Sequence, residues 1–197
     1  MAKIIAIQGG YGAFHEIAAH HYFQNEKIEI LPRETFRDMV STLKNRKSDF
    51  GIMAIENSLA GSIIPNYNLI IDTRMHIVGE IYLRIKQNLV AISGVKISDL
   101  KEVFSHPMAI LQCQNFFDDF PEIRLIESID TALSAEEIAR KQLRNTGAIS
   151  SRLAADKYGL DVVAESIETN KMNYTRFLIL AENGFTVPVE KVNKASV

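Results

Sequence analysis

The sequence predicts an α/β fold with a largely parallel sheet, and three observations carry that prediction. Short apolar runs stand at residues 3–8, 28–31 and 50–55. Between them, apolar residues recur at helical spacing, and glycine or polar clusters mark each change from run to helix. The unit strand, turn, helix repeats, and that repetition is the signature of parallel strands joined by helical crossovers.

Taken in order, KIIAIQ (3–8) reads as a short buried strand, followed by glycines 9, 10 and 12 and then by Phe14, Ile17, Ala18, His21 and Tyr22 on one helical face. Residues 28–31 form a second strand, Phe36, Met39, Val40 and Leu43 line a second helix, and residues 50–55 form a third strand that runs into Glu56-Asn57-Ser58. From His76 the pattern changes: residues 77–92 hold two extended segments around Lys86 and Gln87 with no helix between them, so a second lobe is expected to begin there. It continues with a strand at 100–104, Ser105-His106-Pro107, a helix over 109–117, a strand at 123–126 and a helix over 131–143. A strand at 147–149, a helix over 152–158 closed by Gly159, and a strand at 162–166 follow. Asn173-Tyr174-Thr175-Arg176-Phe177 then opens a last strand with polar groups where apolar ones would be usual.

Composition narrows the function. With 197 residues, 47% of them hydrophobic, the chain can bury a sizeable core as one domain or two lobes. A formal net charge of −2, from 22 Lys and Arg against 24 Asp and Glu, and the lack of a basic run argue against nucleic acid. The single cysteine, Cys113, excludes an internal disulfide and gives no zinc pattern, so no metal is expected. No apolar stretch is long enough to cross a bilayer and residues 1–20 hold no secretion signal, which predicts a cytoplasmic protein without a membrane partner.

Polar clusters lie where strands hand over to helices: Gln8-Gly9-Gly10, Glu56-Asn57-Ser58, Ser105-His106-Pro107 and Ser150-Ser151. In open α/β sheets the ligand crevice lies beyond the carboxyl ends of the strands. Taken singly, each serine there is more simply a helix cap than a ligand contact. Nucleophile elbow, phosphate loop and zinc-helix motifs are all missing, and GGYG does not have dinucleotide spacing. The remaining chemistry is a crevice of amides, hydroxyls and one arginine, suited to a small anion whose reaction needs positioning and one proton transfer.

These residues resemble the prephenate dehydratases. Asn173-Tyr174-Thr175-Arg176-Phe177 matches the family's N-x-T-R-F, and Ile55-Glu56-Asn57-Ser58 with Gly61 matches I-E-N-S-x-x-G. Ser105-His106-Pro107 with Ala109, Gln112 and Cys113 matches S-H-P-x-A-x-x-Q-C. At the amino end the family's G-P-x-G-T-F-S is replaced by Gly9-Gly10-Tyr11-Gly12-Ala13-Phe14-His15, which loses hydroxyls at 13 and 15.

The resemblance implies a two-lobed fold like that of type II periplasmic-binding proteins, each lobe a mostly parallel sheet flanked by helices. The first lobe would comprise 1–76 plus 176–190 and the second 77–175, with 191–197 leading towards an ACT regulatory domain. It implies cofactor-free conversion of prephenate, which carries two carboxylates and a ring hydroxyl, to phenylpyruvate within a homo-oligomer, a dimer or tetramer. Thr175 would donate the proton to the departing hydroxyl, with Asn57, Ser105 and Gln112 around it. Arg176 would clamp a carboxylate, and Glu56, Ser58, His106, Asn173, Phe177 and the backbone amides of Gly12 and Ala13 would complete the substrate site. Two alternatives stand beside this reading: dehydration of arogenate, which bears an amino acid side chain in place of the pyruvyl group, and non-catalytic binding of a small anion on the same fold.

Overall fold

The computed structural model describes residues 2–182. The expected tail at 191–197 and the last residues assigned to the first lobe lie outside them. Two sheets with helices on their faces make up the described chain, one to each of two lobes.

The first sheet contains β1 (Lys3–Gln8), β2 (Ile28–Arg33), β3 (Phe50–Asn57), the two-residue β4 (Gly61–Ser62), β5 (His76–Arg84) and the late strand β11 (Tyr174–Ala181), in the order β2-β1-β3-β11-β5 with β4 beside β3. Helix α1 (Phe14–Tyr22) covers one face, where Ala18 and Ala19 meet Ile5, Ile7, Ile52, Phe177 and Ile179. Helices α2 (Phe36–Lys44) and α3 (Ile64–Thr73) cover the other, where Met39, Leu43 and Ile70 meet Ala6, Met53, Leu178 and Leu180. Alternation along a strand therefore sends Phe177 and Ile179 to the α1 face and Leu178 and Leu180 to the opposite one.

The second sheet contains β6 (Asn88–Ile92), β7 (Glu102–Ser105), β8 (Arg124–Glu127), β9 (Thr146–Ser150) and β10 (Leu160–Ala164), in the order β10-β6-β9-β7-β8. Its helices are α4 (Pro107–Gln112), α5 (Gln114–Phe117), α6 (Thr131–Lys141) and α7 (Arg152–Tyr158). Helix α7 ends where expected, because Gly159 takes the left-handed cap conformation at φ 65°. The single helix expected over 109–117 is two, since Cys113 departs from helical geometry with φ −107° and ψ 6°. The sequence reading offers no element between Ser58 and His76; the structure has β4 and α3 there.

Two expectations are corrected. The sheets are mixed: β1 pairs with β2 and β3 in parallel, and β7 with β8 and β9, but β5, β6, β10 and β11 all pair antiparallel to their neighbours. Those four are the strands that enter or leave a crossing between lobes, so direction reverses beside each crossing. Second, β5 was expected in the second lobe but pairs with β11 along residues 76–84 of the first sheet. The outward crossing is consequently the short segment Ile85, Lys86 and Gln87. It is tied to the return crossing by hydrogen bonds from Ile85 N to Asn173 O (2.8 Å) and from Ile167 N to Gln87 O (2.8 Å). Among the described residues no helix is long and apolar enough to cross a membrane.

Candidate active site

The cleft between the two sheets has a volume of about 390 Å³, within the range of small-ligand sites. Strand β3 brings Asn57 to it and β11 brings Thr175, the two residues being register partners across an antiparallel pair. The second lobe contributes His106, Ala109 and Gln112 from the start and end of α4. Apolar walls come from Phe36, Ile85 and Phe177.

A chain of side-chain amides runs along this cleft with a fixed polarity. Asn57 Oδ1 accepts the backbone N–H groups of Leu59 and Ala60, both at 3.0 Å. That anchor forces its Nδ2 to be the donating end, so the O/N assignment of this amide follows from its backbone partners. Nδ2 donates to Asn173 Oδ1 at 2.8 Å and to Thr175 Oγ1 at 3.0 Å. With its oxygen used, Asn173 donates Nδ2 to Gln112 Oε1 at 2.9 Å, and Gln87 Nε2 donates to the same oxygen at 3.4 Å. The chain thus links both lobes and both crossings to one hydroxyl. Thr175 is 8% exposed and, among the described residues, no acceptor takes its hydroxyl proton. Its oxygen is held by a donor while its proton is free to face the cleft.

Not every residue expected at the site arrives there. Arg176 leaves β11 on the side opposite Thr175: its Nε donates to Glu80 Oε2 at 2.8 Å, Nη2 reaches the same oxygen at 2.5 Å, and Nη1 lies 3.8 Å from Glu56. The guanidinium also lies 5.8 Å from the Tyr82 ring centre. Burial lowers its affinity for a proton, but the Glu80 carboxylate outweighs this and moves it up, so it is a fixed cation already neutralised. Glu56 accompanies it outside the cleft. Ser58 Oγ donates to Met172 O at 2.8 Å and accepts from Tyr174 N at 2.9 Å, fastening the return crossing to β3.

Ser105 is fully buried and donates to Ile149 O at 2.8 Å, which welds β7 to β9 and leaves no hydroxyl for a substrate. The expected amide donors at Gly12 and Ala13 are also spent, on Glu16 Oε2 at 2.6 Å and Gly10 O at 3.2 Å. Gly12 serves another purpose. It sits at φ 86°, and a Cβ there would lie 2.5 Å from Ala154 Cα, so its missing side chain lets the first turn of α1 seat against α7 of the other lobe. Ser151 Oγ donates to Gly12 O at 2.5 Å, and Lys157 Nζ pairs with the buried Glu16 at 3.0 Å across the same junction.

His106 lines the cleft and caps α4, its Nδ1 accepting from Met108 N at 3.2 Å. The sequence reading does not assign His15, Gln87 or Asp130 to the site, yet all three line it. Asp130 is the N-cap of α6 and could have been found by the same strand-to-helix rule that found Asn57. His15 packs edge-on against Phe36 and Phe177, with ring centres 5.4 and 5.0 Å away, and its Nε2 is buried without a hydrogen-bond partner among the described residues. Burial lowers its pKa to about 4, so the ring is neutral at pH 7. Burial, with Glu168 nearby, pushes the Cys113 thiol up to about 12 and leaves it inert. Among the described residues no cluster of three or more His, Cys, Asp or Glu side chains could hold a metal ion.

Fold and cleft together define a two-lobed α/β protein with an orientable hydroxyl at the end of an amide chain. The chain belongs to the prephenate dehydratase family, whose model matches residues 5–184. It is 42% identical over 194 residues to arogenate dehydratase 2 of Petunia hybrida, covering 98% of this chain and 48% of that protein. The prephenate dehydratase of Arthrobacter aurescens, solved in complex with L-Phe, superposes with a TM-score of 0.82 at 26% identity over 92% of this chain and 61% of that one. A structure described as GqqA, a novel type of quorum quenching acylase, superposes with a TM-score of 0.84 at 28% identity over 94% of this chain and 66% of that one. The chain spans about half the length of the curated relatives it matches.

Proposed function

We propose that this chain carries out the decarboxylating dehydration of prephenate to phenylpyruvate, with Thr175 as proton donor. The observation that carries the reading is the Thr175 hydroxyl, held at its oxygen by Asn57 Nδ2 and free at its proton. As the ring carboxylate leaves as carbon dioxide, its bonding electrons enter the ring and expel the C4 hydroxyl. The Thr175 proton joins that hydroxyl and water departs, and a proton from solvent restores the Thr175 hydroxyl, so a dianion and one proton yield phenylpyruvate, carbon dioxide and water. Negative charge develops on Thr175 Oγ1 in this step. Asn57 Nδ2–H lies 3.0 Å away and stabilises it, and the two backbone N–H groups on Asn57 Oδ1 polarise that donor further. General-acid assistance of this kind contributes roughly 10²–10⁴-fold.

Phe36 and Phe177 would flank the ring, and His106 and the free end of Gln112 would meet the substrate's polar groups from the second lobe. Arogenate undergoes the same ring chemistry, and the relative named above as an arogenate dehydratase supports it as the alternative substrate. A cytoplasmic homo-oligomer belongs to the same reading and rests on the family resemblance. Steady-state turnover of prephenate, followed by phenylpyruvate absorbance, tests the reaction: sustained formation of phenylpyruvate is expected, and none at micromolar enzyme would refute it.

A further inference from the structure

We infer that Gln87 is a specificity-determining residue whose side-chain carbonyl accepts an N–H from the substrate, selecting arogenate, which bears an ammonium on its side chain, over prephenate, which bears a keto group there. The inference rests on the dehydratase reading above. Gln87 lies in the outward crossing between lobes, is 4% exposed and lines the cleft. Its Oε1 is buried and has no hydrogen-bond partner among the described residues.

The orientation of this amide is inherited from the chain it terminates. Backbone N–H groups on Asn57 Oδ1 fix Asn57, Asn57 fixes Asn173, and Asn173 makes Gln112 Oε1 an acceptor. Gln87 must then offer Nε2 to Gln112, which leaves Oε1 as a buried acceptor without a partner among the described residues. An amide oxygen can only accept. By contrast His15 Nε2, also buried and without a partner among the described residues, changes role with its tautomer and cannot discriminate by itself.

An unmet buried acceptor is unfavourable until a donor reaches it, and a ligand that lacks the donor leaves it unmet. The two candidate substrates share the ring hydroxyl, which the mechanism gives to Thr175 at the far end of the amide chain. Beyond that hydroxyl, prephenate brings only acceptors: carboxylates and a keto oxygen. Arogenate brings an ammonium, whose charge-assisted N–H bond to a carbonyl is stronger than a neutral one. Sites built around such a bond reject analogues that lack it more strongly than apolar pockets reject a missing methylene.

The test compares kcat/KM for arogenate and prephenate with the purified chain, then with Gln87→Met, which keeps the length and removes the acceptor. The wild-type ratio is expected to favour arogenate by about tenfold or more, and Gln87→Met to lower that ratio about tenfold. Gln87→Glu keeps an acceptor and should retain the arogenate preference, which decides the matter should Gln87→Met not fold. A wild-type preference for prephenate, a ratio unmoved in Gln87→Met, or a preference lost in Gln87→Glu would overturn the inference while leaving the dehydratase reading standing. Turnover of neither substrate would remove both.

Discussion

Thr175 and Arg176 are neighbours in sequence and strangers in space. One side of β11 ends in the cleft, with Thr175 bonded to Asn57 and Phe177 beneath it; the other ends in an ion pair with Glu80 over Tyr82. The difference teaches that a motif read as one functional unit is, on a strand, two half-motifs with separate duties. In the proposed mechanism Thr175 belongs to the chemistry. Arg176 belongs to the join between β11, β5 and β3, the strands that carry the crossings.

That contrast can be broken most sharply by mutation. Thr175→Ala is expected to lower kcat by about a hundredfold or more, as loss of a general acid should, with the thermal midpoint little changed. Arg176→Lys, which keeps the charge and loses the fork, should leave KM within about threefold, because its partner is Glu80 and not a substrate. A large rise in KM would return Arg176 to the cleft.

The junction beside the cleft comes next in size. Gly12→Ala places a Cβ into α7 at a left-handed φ, and the strain and overpacking should cost about 2–4 kcal/mol in a denaturant melt. Wild-type stability would show that the two lobes part easily at this point.

Acid sharpens the comparison from the cleft side. His15 stays neutral in the folded chain to about pH 4, whereas the unfolded chain takes up a proton near pH 6.5. Its contribution to stability is therefore complete above pH 6.5 and is lost as pH falls from there to about 4, a loss on the order of a few kcal/mol. Chemical denaturation of wild type and His15→Leu across that window checks the sign, since the variant should lack this part of the slope. The smallest effect belongs to the outer face, where Arg176→Met should cost about 1 kcal/mol through the loss of its pairing with Glu80.

Much of this fold could be read from the sequence because its strands are short apolar runs and its turns are marked. The strand at residues 3–8 and the Gly159-capped helix agree with the sequence pattern to the residue. What the pattern of β5 could not reveal was its partner: apolar alternation specifies a strand, but only the antiparallel pairing with β11 decides which lobe owns it. Helix α3 is not among the expected elements, although Pro65 stands in its first turn, where proline is compatible with a helix start.

At the site, the hand-over from strand to helix points to Asn57 and His106, and the polar opening of the last strand points to Thr175; all three line the cleft. It could not show that Ser105 would spend its hydroxyl on Ile149 O, or that Glu16 would take the Gly12 amide, because those partners lie on other elements or arrive only when α1 forms. The period of two along a strand could have separated Arg176 from Thr175 beforehand. Nothing local distinguishes Gln87, whose unmet oxygen exists only once four amides from both lobes are brought into line.

The central claim is that Asn57 acts through Thr175, holding the hydroxyl oxygen and stabilising charge upon it. A double-mutant cycle with Asn57→Ala and Thr175→Ala, read as kcat on whichever substrate turns over, tests this directly. Asn57→Ala alone should lower kcat by about tenfold or more, and it should cost almost nothing further once Thr175 is alanine. Losses that simply multiply would mean the two residues work independently, and would contradict the account.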